Sequence, residues 1–326
     1  MQMKVLVYGA GVIGSYLAHI LCRAGNAVTV VARYERKEAL EKYGLVIRHH
    51  LQGITTHDTV YVTDRIDKSQ YFDAVFAAMP CHKMKFILDD LANLNSTLIV
   101  LIGNNTMPTF MENYILEHAT NPKEILFGFQ VSAGKKEKDK VIVERFGKSY
   151  MDIGRLHGNV SNKTKALIES LFKKTGYKLK WHDNMEAYLI CHPAAVLPIG
   201  YLSYIGGGNL RLSTHKQRKM MFEASHEAYT MLKKSGIPVC PIGDDKFYNN
   251  GIQGCLMKFL YFIMAKTKIG DLVACEHCRN AVSEMEELDR LYEKLISKNP
   301  NVSMANWKSL RSQMPSWEKL HHIYKN

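Results

Sequence analysis

The chain has 326 residues, 46% hydrophobic and 23% charged, and its 43 Lys+Arg against 31 Asp+Glu give a formal net charge of +12. That length favours two domains, each able to bury its own core, and that composition excludes a disordered chain. The positive balance suits anionic ligands, but the charges are scattered and no nucleic-acid-binding module accompanies them, so nucleic acid is set aside as a partner.

The run KVLVYG (4–9) predicts a buried strand, and it leads into Gly9-x-Gly11-x-x-Gly14 and a helical pattern beginning at Val12 and Ile13. In that context the three glycines are a dinucleotide fingerprint. The first permits a tight turn, the second lets backbone approach a pyrophosphate, and the third lets helix pack on strand. Backbone N–H groups at the helix start then face the phosphates.

The second strand, AVTVVA (27–32), ends on Arg33, where an NAD-selective protein offers a carboxylate to the ribose 2′-hydroxyl. A guanidinium instead holds a 2′-phosphate, so Arg33, helped by Arg36 or Lys37, points to NADP. Further near-continuous apolar runs at DAVFAAM (73–79), TLIVLIG (97–103) and EILFGFQV (124–131) alternate with helical patterns. They predict a Rossmann-like, doubly wound parallel sheet of α/β class.

The cluster Lys135–Lys140 reads as a solvated turn, and VIVERFG (141–147) with YMDIG (150–154) as a hairpin at the sheet edge. An amphipathic helix over 162–176, closed by Gly176, and a short strand YKLKW complete the first half. From the capping-box pattern Asp183-x-x-Glu186 onward only helical patterns follow. The expected organisation is therefore a nucleotide-binding domain over 1–182 and an all-helical substrate and dimerisation domain over 183–326.

Ala187–Leu210 carries no Asp, Glu, Lys or Arg and is long enough to span a bilayer, yet His192, Pro193, Pro198 and Gly206–Gly208 interrupt it. It reads as a buried helix pair rather than a membrane segment. The apolar run LMKFLYFIMA (256–265) reads as core or as the interface of a homodimer. Seven cysteines, an odd number, give no disulfide framework, and a reduced, cytoplasmic protein is expected. Cys275-x-x-Cys278 lacks a second ligand pair, so no metal is assigned, and His277 within it is kept as a candidate for the substrate site.

The YGAGVIG turn, the Arg at the end of the second strand, a strand ending in Gly103-Asn104-Asn105 and the helical second half together resemble the ketopantoate reductase family. The resemblance implies hydride transfer from NADPH to the carbonyl of a 2-keto acid, in a cleft between the two domains. It also implies that Asn104 lies beside the nicotinamide and substrate, and that Glu284, in the pair Ser283-Glu284, lines the substrate cleft.

Five positions depart from the family pattern. Asn184 stands where it has a lysine general acid, Tyr188 and His192 where it has asparagines, Leu272 where it has a substrate-binding serine, and Pro80 where a lysine follows the fourth strand.

Carbonyl reduction still needs a proton source at the developing alkoxide. Asn184, Tyr188 and His192, at i, i+4 and i+8, would stack along one helix face and offer an amide, a phenol and an imidazole. His192 is the first choice of proton donor and Tyr188 the second; Lys83, in the loop after the fourth strand, is a further candidate. The alternative function is an NADPH-binding sensor that has lost turnover, a reading that Asn184 and Leu272 favour.

Overall fold

The computed structural model describes residues 2–145, 147, 149–267 and 270–324; the side chains of Leu272 and Val273 lie outside the described set. The chain divides into two compact units, Met1–Met185 and Glu186–Asn326.

In the first unit, strands β1 (Lys4–Tyr8) and β2 (Ala27–Val31) flank helix α1 (Val12–Arg23), and helix α2 (Tyr34–Tyr43) follows. Strands β3 (Leu45–His49), β4 (Ile54–Asp58), β5 (Tyr61–Thr63) and β6 (Ala74–Ala78) come next, then helices α3 (Cys81–Met84) and α4 (Leu88–Asn93). Strand β7 (Leu98–Ile102), helix α5 (Pro108–Glu117) and strands β8 (Glu124–Gln130), β9 (Ala133–Lys136), β10 (Val141–Glu144) and β11 (Tyr150–Gly154) lead to helix α6 (Asn162–Leu171) and strand β12 (Lys178–His182).

Eight strands form one sheet in the order β12-β11-β8-β7-β6-β1-β2-β5. Val5, Leu6, Val7, Val75, Phe76, Ile99 and Val100 are fully buried, which is why these strands read as unbroken apolar runs: helices cover both faces. The chain leaves β1 through α1 to β2 on one side, and β6 pairs with β1 on the other. The sheet therefore has its switch point between β1 and β6, where a doubly wound sheet leaves a crevice beyond the strand ends.

The expected hairpin of 141–147 with 150–154 is corrected. β10 pairs with β3 and β9, while β11 pairs with β8 and β12 in the large sheet. The cause is burial: Val141 and Val143 are fully covered and share a core cluster with Ile47, Tyr16 and Leu17, so β10 lies against α1 in a second, four-stranded sheet of order β4-β3-β10-β9. β3, β4, β5 and β9 were not read from the sequence, because Arg, His, Thr, Asp and Lys break their apolar alternation. The helix at 162 also stops at Leu171 rather than running to 176.

Among its described residues the second unit holds helices and no strand: α7 (Met185–Ile205), α8 (His215–Lys234), α9 (Ile252–Lys266), a π-helical turn at Asp271–Cys275, α10 (Glu276–Asn280), α11 (Val282–Lys298), α12 (Ala305–Gln313) and α13 (Trp317–Ile323). The expected helix pair is one helix: α7 continues for 21 residues through Pro193 and Pro198. Each proline removes one helical N–H donor, and close to the first the Tyr292 hydroxyl donates to the Ile190 carbonyl at 2.7 Å. α7 is long and apolar enough to cross a membrane, and Cys191, Ala194, Leu197, Tyr201 and Tyr204 along it are buried in the core of this unit. α11 spaces Val282, Met285, Leu288, Tyr292 and Ile296 onto its buried face, the period expected of a helix covered on one side.

Candidate active site

The glycine turn divides into positions that the chain itself explains and one that it does not. Gly9 sits at φ 109°, which L side chains rarely adopt, and a Cβ there would stand 2.5 Å from the Ala78 carbonyl oxygen at the end of β6. At Gly14 a Cβ would stand 1.9 Å from the Gly9 carbonyl oxygen, so this glycine lets α1 lie against the turn. Gly11, at φ −72°, meets nothing: among the described residues, no atom beyond its chain neighbours lies within 4 Å of where a Cβ would stand.

Gly11 is the N-cap of α1, no side chain caps the helix, and its first turn holds no acid. The open space in front of Gly11 therefore faces uncapped backbone N–H groups and the positive end of the helix dipole, which suits an anion. The turn and helix start, Gly9 to Gly14 with Val12 and Ile13, fit a pyrophosphate on this observation. The Gln130 amide braces them by donating to the Ile13 carbonyl at 3.3 Å.

Arg36, expected beside the 2′-phosphate, is turned elsewhere. Its Nε donates to the Ala10 carbonyl at 3.1 Å and its Nη2 to Ser15 Oγ at 3.0 Å, so it clamps the glycine turn from the protein side. Burial lowers its pKa. Lys37 is likewise engaged, its Nζ lying 3.1 Å from Asp64.

Arg33 stands exposed at the end of β2, its Nη2 donating to the Tyr8 hydroxyl at 3.4 Å, and that hydroxyl donates to Asp90 at 3.2 Å. Burial and the Asp90 carboxylate raise the Tyr8 pKa, so Tyr8 stays a neutral relay between cation and carboxylate. Tyr34, missed in the sequence, follows at φ 51° and is 85% exposed. Sequence patterning gives no sign of that left-handed backbone at a tyrosine.

The loops after β6 and β7 open at the same end of the sheet as the glycine turn, because the three strands run parallel. Gly103, at φ 130°, turns the chain after β7. Of the two asparagines that follow, Asn105 is structural: its Oδ1 accepts from the Met107 N–H at 2.9 Å and from the Cys81 thiol at 3.5 Å. Asn104 is 7% exposed at the mouth of the same loop. The first unit thus gathers Gly9, Gly11, Val12, Ile13, Gly14, Arg33 and Asn104 at the carboxyl end of its sheet.

In the second half, Asn184 lies immediately before α7 rather than on it, so the expected three-member helix face has two helical members. Tyr188 and His192 stack, with ring centroids 6.1 Å apart and planes 4° from parallel. Tyr188 is buried and His192 half-buried. Glu284 sits in the first turn of α11 with its side chain 12% exposed, and its Oε1 lies 3.9 Å from Nε2 of His277. Cys275 and Cys278 are buried, and burial with the neighbouring Cys275 pushes the Cys278 thiol up to about 12, which keeps it protonated.

Residues 5–158 match the family model described as ketopantoate reductase PanE/ApbA. An uncharacterised oxidoreductase of Bacillus subtilis strain 168, YkpB, is 23% identical over 311 residues, covering 93% of this chain and 94% of its own length.

Among solved structures, a PanE/ApbA family ketopantoate reductase from Ralstonia eutropha JMP134 superposes with a TM-score of 0.69 at 14% identity, covering 99% of this chain and 100% of its own. D-mandelate dehydrogenase, solved with NADH and anilino(oxo)acetate, gives a TM-score of 0.69 at 16% identity over 99% and 98% of the two chains. The domain over residues 5–158 is thus of the ketopantoate reductase PanE/ApbA type, that of a family of NAD(P)-dependent oxidoreductases, and the remainder of the chain shares the fold of these solved structures.

Proposed function

We propose that the protein is an NADPH-dependent oxidoreductase that reduces the carbonyl of a 2-keto acid or a similar small anion. The observation that carries this reading is the open space before Gly11 at an uncapped helix start, with Arg33 exposed at the end of the neighbouring strand. Bound there, NADPH supplies the hydride.

The residues of this chain do the rest. The N–H groups of the turn bind the pyrophosphate, Arg33 holds the 2′-phosphate, and the exposed Tyr34 ring offers a flat face to a purine. Asn104 orients the reacting groups through its amide. The helical domain supplies the substrate side, where His192 Nε2 or Nδ1 delivers the proton to the carbonyl oxygen, Tyr188 Oη supports it, and Glu284 positions the substrate. The protein acts in the cytoplasm, a dimer through the helical domain is compatible with the exposed apolar side chains of α9, and no metal takes part.

Two measurements test the reading. Fluorescence titration should show NADPH binding far more tightly than NADH, and Arg33→Gln should weaken NADPH by about 10–100-fold, the worth of a charge-assisted contact, while leaving NADH unchanged. Equal affinity of the wild type for both nucleotides would overturn the choice of NADP. Against a panel of 2-keto acids, absorbance of the reduced nicotinamide should fall with time, and His192→Ala should abolish that turnover with NADPH affinity intact. Near-normal turnover in His192→Ala would remove His192 from the mechanism.

A second reading has one observation in its favour. Asn184, a neutral amide at the start of α7, replaces the lysine acid that the family resemblance implies, so a sensor that binds NADPH without turnover is the competing proposal. Tight NADPH binding with no oxidation by any keto acid in the panel would decide for it.

A further inference from the structure

Behind the nucleotide turn, along the other half of α1, the first unit holds a cavity of about 380 Å³. It begins roughly 7–8 Å along the helix axis from Gly11, since Tyr16, the first residue of α1 to line it, is five residues on. Among the described residues, its lining carries Arg23, Arg145 and Lys174 and no carboxylate. Asp58 lies behind the lining, its side chain 6% exposed, where it meets Arg23 Nε at 2.8 Å and His19 Nδ1 at 2.5 Å. One carboxylate thus stands against three permanent cations.

Two histidines line the cavity, His19 on Asp58 and His49, and the second adds no charge. Arg145 Nε lies 3.5 Å from His49 Nδ1, and His49 Nε2 lies 3.0 Å from Thr56 Oγ1, an arrangement that fits a neutral ring protonated on Nε2. Burial, with His19 and Arg145 nearby, lowers its pKa to about 4.

The hydroxyls add donors. Tyr16 Oη and Ser149 Oγ, both buried, are 2.9 Å apart, and the pair uses one of its two hydroxyl protons on itself. The other is left for a further acceptor. Lys174 holds φ 63°, a left-handed backbone that is costly for lysine, at the rim.

We propose that this cavity is a second anion site, separate from the nucleotide turn, and that it takes a phosphate group. Lys174 and Arg23 supply charge, Arg145, whose Nε faces His49 and whose Nη1 donates to the Gly147 carbonyl, adds its charge and its remaining Nη donors, and the Tyr16 and Ser149 hydroxyl pair supplies a neutral donor, the set that phosphate oxygens accept from. The volume leaves room for a small organic remainder beyond the phosphate. The site rests on residues that have no part in hydride transfer, so its test is independent of the proposed activity.

Calorimetric titration of the full chain at constant ionic strength, with inorganic phosphate in one arm and glycerol 3-phosphate in the other, tests it. Saturable binding is expected in the wild type and in Arg33→Gln, which disables the 2′-phosphate contact. Arg145→Gln/Lys174→Gln should bind at least about tenfold more weakly.

Lys174→Gln alone, at an exposed position, should weaken binding without moving the thermal midpoint, which separates loss of the site from loss of fold. Tighter binding of glycerol 3-phosphate assigns the site to a phosphate ester, and equal affinity assigns it to free phosphate. Absence of saturable binding in both arms, binding lost in Arg33→Gln, or wild-type affinity in the double variant would overturn the proposal.

Discussion

Gly11→Ala is expected to fold with its stability changed by less than about 1 kcal/mol and to lose about a hundredfold or more in NADPH affinity, close to 3 kcal/mol. The stability half of this follows from cancelling effects. Alanine is a poorer N-cap than glycine, but it narrows the unfolded ensemble, and at φ −72°, with no atom of the described residues beyond its chain neighbours within 4 Å, its methyl strains nothing. The binding half follows because the methyl enters the space where the pyrophosphate would approach the backbone.

Gly14→Ala should behave in the opposite way. Its methyl would stand 1.9 Å from the Gly9 carbonyl oxygen, a backbone atom that moves only if α1 or the turn moves, so a loss of about 1–3 kcal/mol or more is expected. Thermal unfolding and nucleotide titration of both variants check the pair. Wild-type NADPH affinity in Gly11→Ala would mean that the open space before α1 is not where the nucleotide lies.

That contrast also shows how much of the site was legible in the sequence. The three glycines were readable as a motif, but only the built geometry separates the two that the fold requires from the one that it leaves open. Arg33 was readable because a strand end fixes its position. Arg36 was not, because whether a guanidinium faces solvent or the Ala10 carbonyl depends on where α2 packs, which no local pattern encodes.

The large sheet was legible wherever strands are covered on both faces and become apolar runs. The smaller sheet was not, since β3 and β4 mix Leu45 and Ile47 with His, Arg and Thr, and β10 takes its partners from β3, nearly a hundred residues earlier. α7 was misread as two helices because proline is a local signal of interruption, whereas burial across the whole length of the helix overrides it. The Tyr188 and His192 pair survived that error because their spacing is the same in either reading.

Asp289→Ala is the substitution expected to damage the helical unit most. Asp289 is 1% exposed on α11 and gathers three elements around one carboxylate. Arg311 of α12 donates through Nε and Nη2 at 2.8 Å each, Trp317 of α13 donates through Nε1 at 2.9 Å, and the Tyr201 hydroxyl of α7 donates at 2.5 Å. Removing the carboxylate leaves a buried phenol and an indole N–H without their acceptor and frees a guanidinium whose side chain is 35% exposed.

Arg311 recovers part of the loss by turning to water; Tyr201, fully buried, cannot. A destabilisation of about 3–5 kcal/mol is expected, with Asp289→Asn intermediate because the amide oxygen still accepts while its NH2 opposes the guanidinium. Trp307 and Trp317 lie in the second unit and Trp181 in the first. Denaturant unfolding followed by fluorescence, with Trp181→Phe as background, should therefore report the shift from the helical unit alone. A shift below about 1 kcal/mol would mean that the four donors find other acceptors, and that packing around Trp307 and Tyr292, stacked 5.0 Å apart, holds this unit without the carboxylate.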